Sequence, residues 1–297
     1  MTKALTLTMA AAAGALLFGG AASAQNIRIE NAIARVVYIP EDRSDVAVEV
    51  QNGNAALPAL EVTRDQRTVR IGGNLRRNGL RGRSLNCEGG SRRSGPPTSP
   101  GEGAYVTAAG VGRIAMSDAP LVVIRGPRNA NIGADGAVHG AIGRGANNVR
   151  LASGGCGNWV VANVAGDTDL AIGGSGDIWT GSAENLKVAI GGSGDVRATS
   201  VRDLSVSIGG SGDVTVQRAN GDVAISIAGS GDVDVADGQI DSLNVNVMGS
   251  GEVQVGGVVR DVAANVAGSG DIVVARVTGN VSQRAIGSGK VRVLNRN

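Results

Sequence analysis

Gly192-Ser193-Gly194-Asp195-Val196 contains one of seven copies of a Gly-Ser-Gly motif, and in six of them an acidic residue follows. The central serines recur at a nearly constant interval, and they are Ser175, Ser193, Ser211, Ser230, Ser250, Ser269 and Ser288. Such a fixed period is typical of solenoids, in which each repeat buries its apolar face by stacking on its neighbours. Gly155-Cys156-Gly157-Asn158 fits the same frame one interval before the first copy. The period therefore predicts a stack of coils.

Apolar and polar residues alternate on both sides of each motif. Val206 and Ile208 precede Ser211, Val214 and Val216 follow it, and the other copies repeat this spacing. Alternation at period two places the apolar side chains on one face of a β-strand, and no sustained helical period is present. We predict an all-β fold, a single-stranded parallel β-helix with two short strands in each coil of about 18 to 20 positions.

The repeated motifs are predicted to form the sharp corner between the two strands of a coil. We expect the glycines to supply backbone angles that residues with a Cβ resist, and to face a narrow interior. The serine and acidic side chains are expected to face outward and to accept hydrogen bonds from free amides at the turn. This structural corner repeat comprises Gly174, Ser175, Gly176, Asp177, Gly192, Ser193, Gly194, Asp195, Gly210, Ser211, Gly212, Asp213, Gly229, Ser230, Gly231, Asp232, Gly249, Ser250, Gly251, Glu252, Gly268, Ser269, Gly270 and Asp271.

Stacked corners place carboxylates about 4.8 Å apart, where two unit charges repel by roughly 0.9 kcal/mol even in water. A cation shared between coils is the rival explanation, because the motif resembles the calcium-binding repeat Gly-Gly-x-Gly-x-Asp. Here, however, the acid comes one position earlier, and the period is about twice that of the calcium-binding nonapeptide. We therefore expect no cofactor and no metal ligands, and keep a Ca²⁺-stabilised binding protein as an alternative.

The N-terminal segment, from Met1 to Ala24, has the pattern of a secretory signal peptide. Lys3 is followed by an apolar run from Ala4 to Gly20 and by the small residues Ala22-Ser23-Ala24. We expect cleavage after Ala24 and export to the periplasm, the cell surface or the medium, with no transmembrane segment in the mature chain. Removing Lys3 leaves 27 basic and 26 acidic residues, a balance that indicates no particular class of partner.

Cys87 and Cys156 are the two cysteines of the chain, and export permits a disulfide between them. The bridge would close a loop of about 70 residues and tie the N-terminal region to the first coil. Two separate thiols are the alternative, because sequence alone does not give the geometry.

The chain divides into a signal peptide (1–24), an N-terminal β region that forms the first coils and a cap (25–150), and the repeat β-helix (151–297).

Arg64 to Arg93 carries nine arginines against Asp65 and Glu88, a local balance of +7. This stretch is predicted either to contact an anionic surface or to be a solvated loop, and Ser94 to Gly103 is predicted to be a disordered loop. The candidate contact residues are Arg76, Arg77, Arg81, Arg83, Arg92 and Arg93.

No catalytic site is predicted. His139 is the only histidine, so Ser-His-Asp, Cys-His and zinc arrangements are not favoured, and we expect it to be an ordinary surface or turn residue. No aromatic residues are interleaved with the arginines of Arg64 to Arg93 to stack on bases, which argues against nucleic acid as a partner. A polysaccharide-active β-helix enzyme that uses a pair of the corner carboxylates stays as an alternative.

The repeats Gly192-Ser193-Gly194-Asp195-Val196 and Gly229-Ser230-Gly231-Asp232-Val233 make the chain similar to a bacterial family named auto-transporter adhesin, head GIN domain. The resemblance covers Gly155 to Leu294. It implies a right-handed β-helix in an exported protein and an adhesin label, without an established ligand or catalytic residues. We therefore predict a non-catalytic structural or adhesin-like module of the cell envelope, whose partner is envelope polysaccharide, anionic lipid or another surface protein.

Overall fold

The computed structural model describes residues 26–75, 85–89, 95–108 and 110–296, which form a β-solenoid of about nine turns. The stacked parallel coils confirm the predicted β-helix. Within these ranges the one helical segment is a short 3₁₀ turn, Met116–Asp118. The strands are β1 Asn26–Glu41, β2 Ala47–Gln51, β3 Glu61–Arg64, β4 Thr68–Gly72, β5 Asn86–Gly89, β6 Ala104–Ala108, β7 Gly112–Ala115, β8 Leu121–Pro127, β9 Asn129–Ile142, β10 Asn148–Ser153, β11 Trp159–Val161, β12 Asp167–Ile172, β13 Ile178–Ile190, β14 Val196–Ile208, β15 Val214–Ala219, β16 Asp222–Ile227, β17 Val233–Val247, β18 Val253–Gly268, β19 Ile272–Val277, β20 Val281–Gly287 and β21 Val291–Arg296.

The coils build two stacked sheets, which we call face A and face B. Face A runs in the order β2, β8, β1, β9, β11, β13, β14, β15, β17, β18, β19 and β21. Face B runs in the order β3, β4, β1, β9, β10, β12, β13, β14, β16, β17, β18 and β20. In several coils the two predicted strands form one long bent strand, because pairing such as Ser182 with Ser200 continues through the bend.

The core is a set of aliphatic columns between the two faces. Trp159, Ile178, Val196 and Val214 follow one another in register and are almost fully buried. Gly140 occupies the position before Trp159 in this column, and a Cβ there would overlap the indole ring. The predicted alternation therefore accounts for the core, and one glycine makes room for its largest side chain.

The N-terminal coils do not stack in chain order. β1 lies between β9 and the coil formed by β4 and β8, and all these neighbours are parallel to it. β2 and β3 pair antiparallel with β8 and β4, so they cover this end of the stack. The first strand of the described chain is thus inserted between two coils that come later in the sequence.

A small antiparallel sheet of β5, β6 and β7 packs on the corner edge of the solenoid. Its buried side chains, including Val106 and Ile114, form a second core with Ile33 and Ala137 of the solenoid. The structure joins Cys87 of this sheet to Cys156 of the solenoid by a disulfide with a Cα–Cα distance of 5.9 Å. The small sheet is therefore attached to the corner column both covalently and by apolar packing.

The loop from Ser94 to Gly103 was predicted to be disordered, and its described part, Gly95 onward, is instead a defined turn. The backbone N–H and the hydroxyl of Thr98 both donate to the Glu102 carboxylate, at 2.9 and 2.6 Å. This local hydrogen bonding fixes a segment that composition alone marked as irregular.

Candidate functional site

The corner motifs stack into one ridge that runs along the edge between face B and face A. In each motif from Gly174 to Asp271 the serine is exposed and the second glycine is buried. The backbone N–H of each serine donates to the carbonyl of the first glycine in the preceding coil, as from Ser211 to Gly192 at 3.0 Å. Backbone hydrogen bonds between successive coils therefore hold the ridge together.

The corner glycines are needed for a reason different from the predicted one. Among the twelve in the predicted repeat, Gly268 alone has a φ in the left-handed region, so unusual backbone angles do not explain them. A Cβ at Gly210 or Gly212 would instead overlap the carbonyl oxygen of Gly192 or Gly194 in the preceding coil. The second glycine also faces inward, since a Cβ at Gly212 would lie 3.1 Å from the Ile190 side chain. Close approach between backbones, more than interior width, selects glycine here.

The acidic residues of the corners form an ordered column, which we call the acidic column. An Oδ1 atom of each aspartate accepts a hydrogen bond from the backbone N–H of the corresponding residue in the next coil. These bonds are Asp177 to Asp195 (3.1 Å), Asp195 to Asp213 (3.0 Å), Asp213 to Asp232 (2.9 Å), Asp232 to Glu252 (2.7 Å) and Asp271 to Lys290 (2.9 Å). The predicted outward carboxylates thus do accept amide hydrogen bonds, but from the neighbouring coil rather than from their own turn.

The serine side chains do not have the predicted role. Their hydroxyls lie on the exposed crest of the ridge, and the described contact is from Ser288 Oγ to Ser269 Oγ at 3.2 Å. The free amides of the corners donate instead to the aspartate carboxylates of the acidic column. The serine hydroxyls therefore form a polar strip that faces outward.

The column begins with two residues that are not acidic. Asn158 Oδ1 accepts from the Asp177 N–H at 2.9 Å, and His139 Nδ1 accepts from the Asn158 N–H at 3.2 Å. Both side chains are buried, so the prediction that His139 is an ordinary surface or turn residue is wrong. His139 precedes Asn158 by one repeat interval, and that spacing was the signal that places it in the column.

Burial shifts the ionisation of this end of the column. It lowers the pKa of His139 to about 4, so the imidazole is neutral near pH 7 and its Nδ1 is free to accept. It also raises the pKa of Asp177, and the nearby charge of Asp195 adds to that effect. Burial therefore favours the uncharged forms of His139 and Asp177 at the start of the column.

A second column with the same chemistry lies at the other bend of the coils, and sequence reasoning missed it. Asn148 accepts from the Asp167 N–H, Asp203 from the Asp222 N–H and Asp261 from the Asn280 N–H, each at 2.9 Å. In the sequence, the residues of this second column recur at the same interval as the corner motifs, but they do not have a glycine on both sides. Its recurrence indicates that coil-to-coil amide bonding is a general device of this fold.

A groove on face A, beside the acidic column, is the best candidate for a binding site. We call it the Trp179 groove; it has a volume of about 540 Å³, within the range of ligand pockets. The loop residues Gly95 and Pro96 form part of its wall. Its floor carries outward side chains of face A, namely Trp179, Arg197, Thr199, Thr215 and Gln217.

The acidic column positions the groove's cation. Asp195 binds Arg197 through Oδ2 at 3.1 Å while its Oδ1 accepts from the next coil. The Arg197 guanidinium carbon lies 5.7 Å from the Trp179 ring centroid, a cation–π arrangement. Sequence reasoning missed this cluster, and the signal for it was a tryptophan at an outward position of the alternating pattern, directly after the inward Ile178.

The predicted arginine-rich contact surface stays a prediction. Arg76, Arg77, Arg81, Arg83, Arg92 and Arg93 lie outside the described residues. Two other arginines of that stretch have partners, since Arg64 donates to the Val46 carbonyl and Arg70 pairs with Glu30 at 3.3 Å.

In the part of the chain that the structure describes, no three His, Cys, Asp or Glu side chains converge on a point suited to a metal ion. In the same residues no helix is long and apolar enough to cross a membrane.

Comparison with family models matches residues 104–237 to "Putative auto-transporter adhesin, head GIN domain", the same family that the repeats resemble. No curated protein matches the chain. A solved structure from Parabacteroides distasonis ATCC 8503, titled as a "Putative lipid binding protein", is 17% identical with a TM-score of 0.45, and the match covers 92% of this chain and 94% of that one. At this similarity no function is transferred from it.

The corner glycines offer a test with a matched control. Replacing Gly210 or Gly212 by alanine should lower the free energy of unfolding by about 1–3 kcal/mol, because the coil backbones would have to separate. Gly209→Ala is the control, since the nearest atom to its Cβ would be the Ile190 carbonyl oxygen at 3.9 Å. It should change stability by less than about 0.5 kcal/mol in urea unfolding. Equal losses in all three variants would contradict the close-approach explanation.

The acidic column predicts a difference between an amide and an alanine at the same position. Asp213→Asn keeps an oxygen that can accept from the Asp232 N–H, as Asn158 does for Asp177, and it removes a like charge from the column. It should be as stable as the wild type or slightly more stable. Asp213→Ala loses the acceptor and should cost about 1 kcal/mol. The melting temperatures of the two variants measure this, and a more stable alanine variant would rule out the hydrogen-bonding role.

Proposed function

We propose that this chain, whose residues 104–237 match the head GIN domain family, is a non-catalytic, adhesin-like binding module of the bacterial cell envelope. The observation that carries the proposal is the Trp179 groove on an otherwise regular β-solenoid. Its ligand is an envelope polysaccharide, and the rigid coil stack acts as the platform that presents the groove. Export by the predicted signal peptide, residues 1–24, would bring the module to the envelope.

The chemistry of the groove favours a polysaccharide among the three predicted classes of partner. Hydroxyl, amide and guanidinium groups from Thr199, Thr215, Gln217 and Arg197 can hydrogen-bond sugar hydroxyls. The Trp179 side chain is only 7% exposed, so it supports the floor of the groove and the Arg197 guanidinium, and it offers a ligand little ring surface. A lipid tail would require an apolar channel, and the described lumen is filled by Val, Ile and Leu side chains.

The titratable groups near the groove support a binding role rather than catalysis. Asp195 is engaged by Arg197 and by the Asp213 N–H, so it lacks the freedom of a general acid. His139 is buried with its Nδ1 occupied, which keeps it from acting as a base at the surface. A hydrolase would need two carboxyl groups flanking a bound sugar. The described lining of the groove contains no carboxyl group, and the nearby Asp195 reaches it only through its ion pair with Arg197.

Binding can be tested by affinity electrophoresis of protein purified from full-chain expression, in gels containing dextran, hydroxyethyl cellulose or polygalacturonate. We expect at least one polysaccharide to slow migration. Arg197→Ala and Gln217→Ala should each weaken the retardation severalfold, and Trp179→Ala should abolish it. Gln254→Ala is the matched control. Gln254 lies in the same outward column as Arg197 and Thr215 but beyond the groove, so its replacement should leave migration unchanged.

Three results would contradict the proposal. Retardation that survives both Arg197→Ala and Trp179→Ala would place the ligand elsewhere. New reducing ends in the same incubations would make the chain an enzyme. Sedimentation with anionic phosphatidylglycerol vesicles, without retardation by any of the polysaccharides, would make lipid the partner. Melting temperatures of the variants separate loss of the fold from loss of binding.

A further inference from the structure

The two ends of the described solenoid both present unpaired strand edges. At one end β2 and β3 pair only with β8 and β4, and at the other β21 and β20 pair only with β19 and β18, within the described residues. Free edges carry rows of backbone donors and acceptors that readily pair with another strand. Among the described strands, those at the two ends therefore have backbone donors and acceptors available for pairing with another strand.

The edges at opposite ends belong to the same two faces. β2 and β21 are the first and last strands of face A, and β3 and β20 are those of face B. A second copy placed on the same axis and in the same orientation would bring β21 against β2 and β20 against β3. Both new pairs would be antiparallel, because β2 and β3 run against the direction of all other solenoid strands. Each face would thus continue from one copy into the next.

The side chains at these edges are complementary in charge. Residues 281–296 contain four basic residues, Arg284, Lys290, Arg292 and Arg296, and no acidic one, a balance of +4. The covering segments 41–51 and 60–67 contain six acidic and three basic residues, a balance of −3. Opposite balances favour contact between unlike ends and oppose contact between two like ends.

The register of face A aligns one specific pair of these charges. Glu49 pairs with Val123 at the start of an outward column that runs through Trp179, Arg197 and Thr215. The same column ends at Arg292 on β21. Continuing the column into a second copy would set Arg292 next to the partner copy's Glu49 position.

At the C-terminal end of the described solenoid, several apolar side chains are exposed or only partly buried. Val281, Val291 and Val293 continue the buried core columns but are only partly buried, and Ile286 and Leu294 are 56% and 63% exposed. At the opposite end Val62 of β3 is 37% exposed. Burial of these side chains would add a hydrophobic contribution to edge pairing.

We propose that copies of this chain associate head to tail, with β21 and β20 of one copy pairing with β2 and β3 of the next. The contact joins two different surfaces, so it repeats without closing and builds linear assemblies. Screening of the opposite charges makes the association weaker as salt rises. This inference does not depend on what the Trp179 groove binds.

The test is light scattering after size-exclusion chromatography of the full-chain protein, over a range of concentrations at low and high salt. We expect a series of species larger than a dimer that grows with concentration at low salt and shrinks at high salt. Arg292→Glu and Glu49→Arg should each raise the concentration for half-association about fivefold or more, because each creates a like-charge contact. Arg218→Glu is the control, a charge reversal on the side wall of face A that should leave association unchanged.

Charge exchange makes the test decisive even if Arg292→Glu loses its ion pair with Asp271. The two single variants mixed in equal amounts, and the double variant alone, each restore the Arg–Glu contact and should assemble again. A protein that stays monomeric at low salt would overturn the proposal. Growth that stops at a dimer would indicate contact between like ends, and absence of rescue would show that these residues do not meet.

Discussion

At each corner the carbonyl oxygen of one glycine lies so close to the glycine of the next coil that no side chain fits between them. This approach fixes the stacking of the coils, and it brings each aspartate carboxylate to the amide of the next corner, as from Asp195 to Asp213. The hydrogen bonds offset the repulsion that a column of like charges would otherwise impose. The regular columns of Val, Ile and Leu in the lumen follow from the same stacking, because equivalent residues of successive coils come into register.

The candidate binding site is built on the same contact. Asp195 uses one oxygen to hold the next coil and the other to hold Arg197, which in turn lies over Trp179. Asp195, which stabilises the stacking of the coils, thereby also orients Arg197 at the surface of the groove. The small sheet is attached to the corner column through Cys87 and Cys156, and Gly95 and Pro96, which precede its strand β6, lie at the edge of the groove.

The periodic features of the chain could be predicted from sequence and the non-periodic ones could not. The period of the serines and the alternation around Ile208 and Val214 were sufficient to predict the stacked coils. The insertion of β1 between later coils depends on pairing between distant residues, which leaves no local pattern. The burial of His139 and the role of the corner glycines both depend on the tertiary structure, which the local sequence does not show. The alternating pattern could have identified Trp179 as an outward-facing tryptophan. Its proximity to Arg197 and Gln217 arises only when the coils stack.

The central claim is that the acidic column is held by hydrogen bonds between coils and not by bound cations. Thermal unfolding of the purified protein, with calcium and with a chelator at equal ionic strength, tests this most directly. If the amides of the next coil occupy the carboxylates, the melting temperature should be the same within about 1 °C, since a ligand stabilises only the state that binds it. A large rise with calcium would contradict the account and make the column a metal site.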